Sequence, residues 1–198
     1  MHGTGKTIPV GLASIIIFLA VFYSLAFGSN VPPVTGDVLP EITMKVPQNA
    51  ADRRYLGLEG NGFFTISQIK AAIVIIEIFS MYCPHCQKEA PEINRLYSLI
   101  EANPALKDKI KVIGIGAGNS SFEVAVYKKK YRVPFPLFPD DDFSIHKRFG
   151  EVRTPYFLGV AINDDGTHRI FHSQLGKFQG AGLFLESILQ ASGLKQEK

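Results

Sequence analysis

The chain has no tryptophan, only two cysteines and no large excess of charge of either sign among its 198 residues. Two cysteines are too few for the multi-bridge framework that compensates for a small core in disulfide-rich secreted domains. They also fall short of the four ligands a structural zinc site normally needs, and no second pair exists. The two are Cys83 and Cys86, so a bond between them would close a two-residue loop. Such a loop removes little denatured-state entropy and makes a poor staple. A c-type haem site requires histidine directly after the second cysteine, and residue 87 is Gln. Lys and Arg number 21 against 18 Asp and Glu, net +3 and interspersed, which leaves no nucleic-acid footprint. No internal repeat is evident. What is present is a hydrophobic fraction of 46% with 15 Phe and charged residues at 20%, enough for one ordered core.

Charge is also missing from Thr7 to Gly36, and Ile8 to Phe27 is almost wholly apolar. Twenty residues of helix span about 30 Å, one bilayer core. No polar face interrupts the stretch, which excludes an ordinary core helix. Lys6 precedes it while Asp37 and Glu41 follow, so the positive-inside rule puts residues 1–7 in the cytoplasm and the rest outside. A cleaved signal peptide ending at Ala26-Phe27-Gly28 is the rival reading. The expected organisation is an anchor or signal at 1–28, a Pro/Gly-rich linker at 29–40 and one domain at 41–198.

Within the domain, a short hairpin is expected over Leu56–Ile69 around Gly60-Asn61-Gly62. Buried strands are expected at Ala72–Ser80 and Ile110–Ile115, a short strand at Phe135–Phe138, and a strand pair at Tyr156–Ile162 and Arg169–Ser173 turning at Asn163-Asp164-Asp165-Gly166. Helices are expected at Cys83–Ala102, Phe122–Tyr131, Phe143–Phe149 and Leu183–Ser192. Strands alternating with helices imply an α/β domain with a mostly parallel central sheet and an antiparallel last hairpin. Lys128-Lys129-Lys130 reads as a solvated helix face. His146, His168 and His172 lack ligand spacing and read as ordinary surface or strand residues.

The run from Ile76 to Cys86 carries the chemistry. An apolar strand ends in Cys83-Pro84-His85-Cys86, and Gln87-Lys88-Glu89-Ala90 continues as a helix. Cys83 therefore sits at a helix N-terminus, where unpaired N–H groups and the helix dipole favour a thiolate. His85 can add a positive charge or an N–H beside that sulfur. Glu77 is the misfit, a carboxylate inside Ile-Val-Ile-Ile-Glu-Ile-Phe on the same strand face as Phe79. If buried it stays protonated and shuttles a proton to or from Cys86; the alternative is a strand-edge Glu paired with a Lys.

From about Ile42 to Leu189 the chain resembles the thioredoxin superfamily. Beyond the Cys-x-x-Cys, Glu77 stands six residues before Cys83, Pro91 five after Cys86, and Thr154-Pro155 where the family has its cis-proline. The strand Ile76–Cys86 is similar to the active-site strand of DsbA-type members. Pro155 follows Cys86 by only 69 positions, which suits the single strand–helix insertion of TlpA/ResA-like anchored members. The resemblance implies a thioredoxin-like α/β fold with a central mixed β-sheet flanked by helices, behind a transmembrane or signal helix. It implies thiol–disulfide oxidoreductase activity through a redox-active disulfide, with no other cofactor and no metal. Cys83 is then the nucleophile and Cys86 the resolving thiol. Pro84, His85 and Glu77 tune the pair, and Thr154 and Pro155 bind substrate. Implied partners are protein thiols and disulfides, a membrane electron donor or acceptor, and apocytochrome c, met on the extracytoplasmic (periplasmic) side. Pro84-His85 points to an oxidant and the anchored architecture to a reductant. Two alternatives stand beside this: a peroxiredoxin-like peroxidase, since Ser80 lies three residues before Cys83 where that family has threonine, and a metal-delivery module using Cys83, Cys86 and His85.

Overall fold

The seven residues of β3 (Ile73–Phe79) are all buried, and the architecture follows from covering both faces and both edges of that strand. The structure, a computed structural model, describes residues 31–163 and 167–194. β3 pairs in parallel with β4 (Ile110–Ala117) on one side and antiparallel with β6 (Tyr156–Ile162) on the other. β5 (Leu137–Asp140) extends the sheet beyond β4, and β7 (His168–Leu175) beyond β6. The five-stranded order is β5-β4-β3-β6-β7, a mixed sheet.

Alternation along β3 divides the core. Val74, Ile76 and Ile78 face one layer, with Ile113, Ile115, Leu158 and the amino-terminal segment. Ile73, Ile75 and Phe79 face the other, where α2 (Pro84–Glu101), α3 (Ser121–Lys130) and α5 (Ala181–Ser192) supply Ile93, Leu96, Tyr127 and Phe184. Both layers are apolar because a central strand has no solvent-facing side. At about 25 cal/mol per Å² of apolar surface, this two-sided burial is the main stabilising term.

Three sequence expectations need correction. The segment read as a hairpin over Leu56–Ile69 is instead helix α1 (Ala50–Leu56), a turn, strand β2 (Phe63–Thr65) and a 3₁₀ turn at Ile66–Gln68. Asn49 caps α1 by accepting the Ala51 N–H, and Gly57 ends it in the left-handed conformation. β2 pairs with β1 (Thr43–Lys45), so its partner lies some twenty residues upstream and not across the Gly60-Asn61-Gly62 turn. Second, Lys128 is not a solvated member of its run. It is half-buried, 3.2 Å from Asp52 and donating to the Phe135 carbonyl at 2.8 Å. Lys129 and Lys130 are exposed. The strand expected at Phe135–Phe138 begins two residues later, because Phe135 turns inward as a fully buried core residue.

Residues 31–40, expected to be a linker, are extended but docked on the domain. Gly36 N–H donates to Ile170 O and Leu39 N–H to His168 O, while Tyr156 and Ser173 hydroxyls reach the Pro33 carbonyl. The expected anchor at Ile8–Phe27, the signal cleavage site and most of the Asn163–Gly166 turn lie outside the described residues. Among the described residues no helix is long and apolar enough to cross a membrane. Between α3 and β6 the chain forms β5 and the short α4 (Ser144–Arg148).

Gly150 locks the docked segment in place. Its φ is +70°, and a Cβ there would lie 2.5 Å from the Val31 carbonyl carbon. Gly150→Ala is expected to cost about 1–3 kcal/mol from backbone strain and this clash. Urea unfolding would read that loss, and limited proteolysis would show cleavage within residues 31–40 accelerating.

Candidate active site at the head of helix α2

β3 delivers the chain to the carboxyl end of the sheet, where Ser80–Tyr82 turn and Cys83 caps α2. The turn closes with Cys83 N–H donating to Ser80 O at 3.0 Å. Pro84 then occupies the first helical turn, where a missing N–H costs nothing. Pro91, also inside α2, cannot donate to Gln87 O and breaks the ladder once.

The two sulfurs sit in different environments. Cys83 is partly exposed and Cys86, one turn on, is 0% exposed; both are free thiols. The Cys86 N–H points at Cys83 Sγ at 3.4 Å, and the Cys83 thiol lies 3.3 Å from the Thr154 carbonyl oxygen. Partial burial opposes ionisation of Cys83. The Thr154 side chain, the Cys86 N–H and thiol, and the His85 N–H together outweigh it and hold Cys83 below the ordinary thiol range. Burial pushes the Cys86 thiol far up, with the Cys83 contact and the Glu77 charge adding to it. One cysteine is therefore ready to be a thiolate and the other holds its proton.

His85 is exposed, and its contribution to Cys83 comes through its backbone N–H. Glu77 is 1% exposed in the centre of the sheet, opposite Gly114 on β4 and Phe157 on β6. This sets aside the strand-edge alternative. Among the described residues no group bonds its Oε1. Burial, then the charges of Glu89 and Cys83, pushes its carboxyl up to about 8. The face it shares with Phe79 is the α2 side, so it acts electrostatically on Cys86.

Thr154-Pro155 is cis, and the turn it makes brings the Thr154 carbonyl to the cysteines across 71 residues of sequence. All seven residues singled out in the sequence thus belong to this one end of the sheet or to the strand leading into it.

Three supporting residues went unnoticed in the sequence. Asn119, fully buried, accepts the Met81 N–H at 2.8 Å and so pins the turn before Cys83. Gln87 grips the same turn from the other side by donating to Met81 O at 2.8 Å. Tyr127 on α3 donates its hydroxyl to Cys86 O at 3.0 Å and packs on Phe79 with ring centroids 4.6 Å apart. Asn119 follows an apolar strand and a Gly-Ala-Gly run, which reads only as a turn; Tyr127 reads only as core. Among the described residues, the histidines outside the site, His146, His168 and His172, are half-buried, as expected of strand and surface positions. His172, for example, packs edge-on to Phe184 at 5.2 Å.

The AhpC/TSA family matches residues 35–172, which include every residue of this site. The chain belongs to that family. The thiol–disulfide oxidoreductase ResA of Bacillus thuringiensis subsp. konkukian is 27% identical over 127 residues, covering 64% of this chain and 68% of the relative. Among solved structures, a thiol:disulfide interchange protein from Bacteroides sp. superposes with a TM-score of 0.58 at 16% identity, covering 83% of this chain and 93% of that one. StoA from Bacillus subtilis does so with 0.53 at 20% identity, covering 75% and 96%. This AhpC/TSA member therefore has the thioredoxin-like α/β fold expected from its motifs, with a central mixed sheet and flanking helices.

Glu77 makes stability depend on pH in a defined direction. Its carboxyl titrates near 4.5 when exposed and about 8 when folded, so the folded state holds the extra proton between those values. That contribution is complete below about 4.5 and is lost as pH rises through about 8. Between the two values the loss is about 1.4 kcal/mol for each pH unit. The urea midpoint of the reduced protein should fall over this window, and Glu77→Gln should flatten the decline. An equally steep decline in Glu77→Gln would place the titrating group elsewhere.

Proposed function

We propose that the chain is a thiol–disulfide oxidoreductase acting on protein substrates through Cys83 and Cys86. The observation that carries this reading is the pairing of a partly exposed, thiolate-favouring Cys83 at a helix N-terminus with a buried, protonated Cys86 one turn inside. In the reductive direction, the Cys83 thiolate attacks a substrate disulfide. A Cys83–substrate disulfide forms and the other substrate sulfur leaves as a thiolate. Cys86 then attacks Cys83 Sγ, giving the Cys83–Cys86 disulfide and releasing the second substrate thiolate; two electrons pass to the substrate. The oxidative direction is the same sequence reversed. Glu77 in its ionised form accepts the Cys86 proton as that thiol attacks, and in its protonated form returns it in reverse, a role suited to a buried carboxyl that titrates at about 8 and so samples both forms near neutral pH. His85 and Pro84 shape the start of α2, and the Thr154 backbone before Pro155 positions an extended substrate segment at Cys83.

The finer features of the reading rest on sequence and on relatives. The β5–α4 unit supports a TlpA-type insertion, and Ile8–Phe27 supports an anchor with the domain at 41–198 on the extracytoplasmic side. Residues 31–40 then join anchor to domain as a docked strap. Protein disulfides and thiols are the substrates, apocytochrome c among them, and a membrane carrier supplies or accepts the electrons. Potentials of such dithiols range from about −270 to about −120 mV, about 7 kcal/mol, so thiolate stabilisation sets the direction. Equilibration in graded glutathione buffers, read by alkylation and mass, measures it without tryptophan.

Cys86→Ser keeps the reactive thiol and removes the resolving one, so mixed disulfides with partner proteins should accumulate on non-reducing gels. Cys83→Ser should trap at least about ten-fold less, since its remaining thiol is buried and protonated. Equal trapping by both variants would refute the assignment. Rapid peroxide consumption by the reduced protein without protein disulfide exchange would favour the peroxidase reading that Ser80 raises.

The full-length chain should remain with membranes after an alkaline carbonate wash. A mature form beginning near Ser29 and free in the soluble fraction would show a cleaved signal in place of an anchor.

A further inference from the structure

A cleft of about 450 Å³ opens beside Cys83, and its walls are unevenly charged. Thr154 and Pro155 form its inner side, with the Thr154 carbonyl 3.3 Å from Cys83 Sγ. Leu175, half exposed, gives it an apolar flank. Around these stand Lys88 from α2, Arg153 from the turn before β6, and Lys177 from the segment after β7, all exposed. None of the three is in an ion pair among the described residues, where the ion pairs join Lys70 to Glu59 and Lys128 to Asp52. The acidic residue lining the cleft, Glu89, is buried and spends an oxygen on the Phe178 N–H. Lys177 feels its charge, yet the surface still presents three cations to one largely buried carboxyl. The chain as a whole carries only +3, so this concentration is local.

We infer that this cleft selects acidic polypeptide segments, so that substrate cysteines flanked by Asp or Glu are exchanged faster than those flanked by neutral or basic residues. This rests on the dithiol-exchange reading and specifies its substrate class. A cleft walled by His85, Thr154 and Pro155, with the Thr154 carbonyl 3.3 Å from Cys83 Sγ, suits an extended chain laid along it. Three unpaired cations gain nothing from one another, and a carboxylate-bearing segment supplies the missing partners. Exposed pairs contribute little to affinity singly, but like-signed charges lining a cleft raise encounter rates with an oppositely charged partner. Arg153 adjoins Thr154, so it can hold a carboxylate in a bidentate grip next to the reacting sulfur.

The test uses the reduced full-length protein in a neutral detergent. Three peptides share one cysteine, present as a mixed disulfide with thionitrobenzoate, and differ only in Asp, Ser or Lys flanks. Cys83 attacks the peptide sulfur, thionitrobenzoate leaves and is read by absorbance, and Cys86 then frees the peptide thiol. At low ionic strength the Asp peptide should react at least about ten-fold faster than the Lys peptide, with the advantage collapsing as salt shortens the screening length. Arg153→Glu combined with Lys177→Glu should reverse the order. Equal rates for the three peptides, an order insensitive to salt, or an unchanged order in the double variant would overturn the inference while leaving disulfide exchange intact. No reaction with any peptide would overturn the exchange reading and this inference with it. The wild-type order and its salt dependence decide the matter even if the double variant does not fold.

Discussion

Complete burial of β3 is the constraint on which the rest of the molecule depends. The strand has a neighbour on each edge and an apolar layer on each face, so no position along it meets water. Such a strand is held rigidly, and the turn at its end inherits that rigidity. Cys83 therefore appears at a fixed point above the sheet, with α2 starting beneath its sulfur. The same burial leaves a carboxyl on the strand one inexpensive state, the protonated one. Glu77 can occupy the centre of an isoleucine-rich strand because it carries a proton near neutral pH.

The contrast between the two cysteines comes from one turn of helix. At the cap, backbone N–H groups have no intrahelical partner and converge on Cys83 Sγ. At Cys86 those groups are already inside the helix, and the surroundings are the apolar layer of Phe79, Ile93 and Phe157. A strong acid–base difference thus arises between chemically identical groups three residues apart. Asn119, Gln87 and Tyr127 keep that difference sharp by bonding the backbone on either side of the cysteines. Two of them stand on the β4–α3 unit, so the packing of that unit against β3 and α2 is tied to the reactivity of the site.

Sequence legibility divides along the range of the interactions. The strand β3, the helix from Pro84 to Glu101 and the cap position of Cys83 were readable because each depends on residues a few positions apart: an apolar run, the Gln87-Lys88-Glu89-Ala90 continuation, a cysteine spacing. The hairpin expectation over Leu56–Ile69 failed for the complementary reason. Gly60-Asn61-Gly62 is a sound local turn signal, but β2 gains more by pairing with β1 far upstream, while Asn49 and Gly57 cap a helix between them. Lys128 likewise belonged to a charged run by pattern and to the half-buried partner of Asp52 by packing.

By itself the sequence determined that a cysteine pair would stand at a strand-to-helix junction behind a charge-free segment, since chain geometry over a dozen residues settles that. Only the tertiary structure decided that Glu77 lies in a central strand, that Thr154 reaches Cys83 across 71 residues, and that Asn119 and Tyr127 support the turn. It also decided that Lys88, Arg153 and Lys177 share a cleft. These juxtapositions join distant elements through sheet order and helix packing. Their energies arise from burial and pairing between segments, which leave no periodic or local trace in the order of the residues.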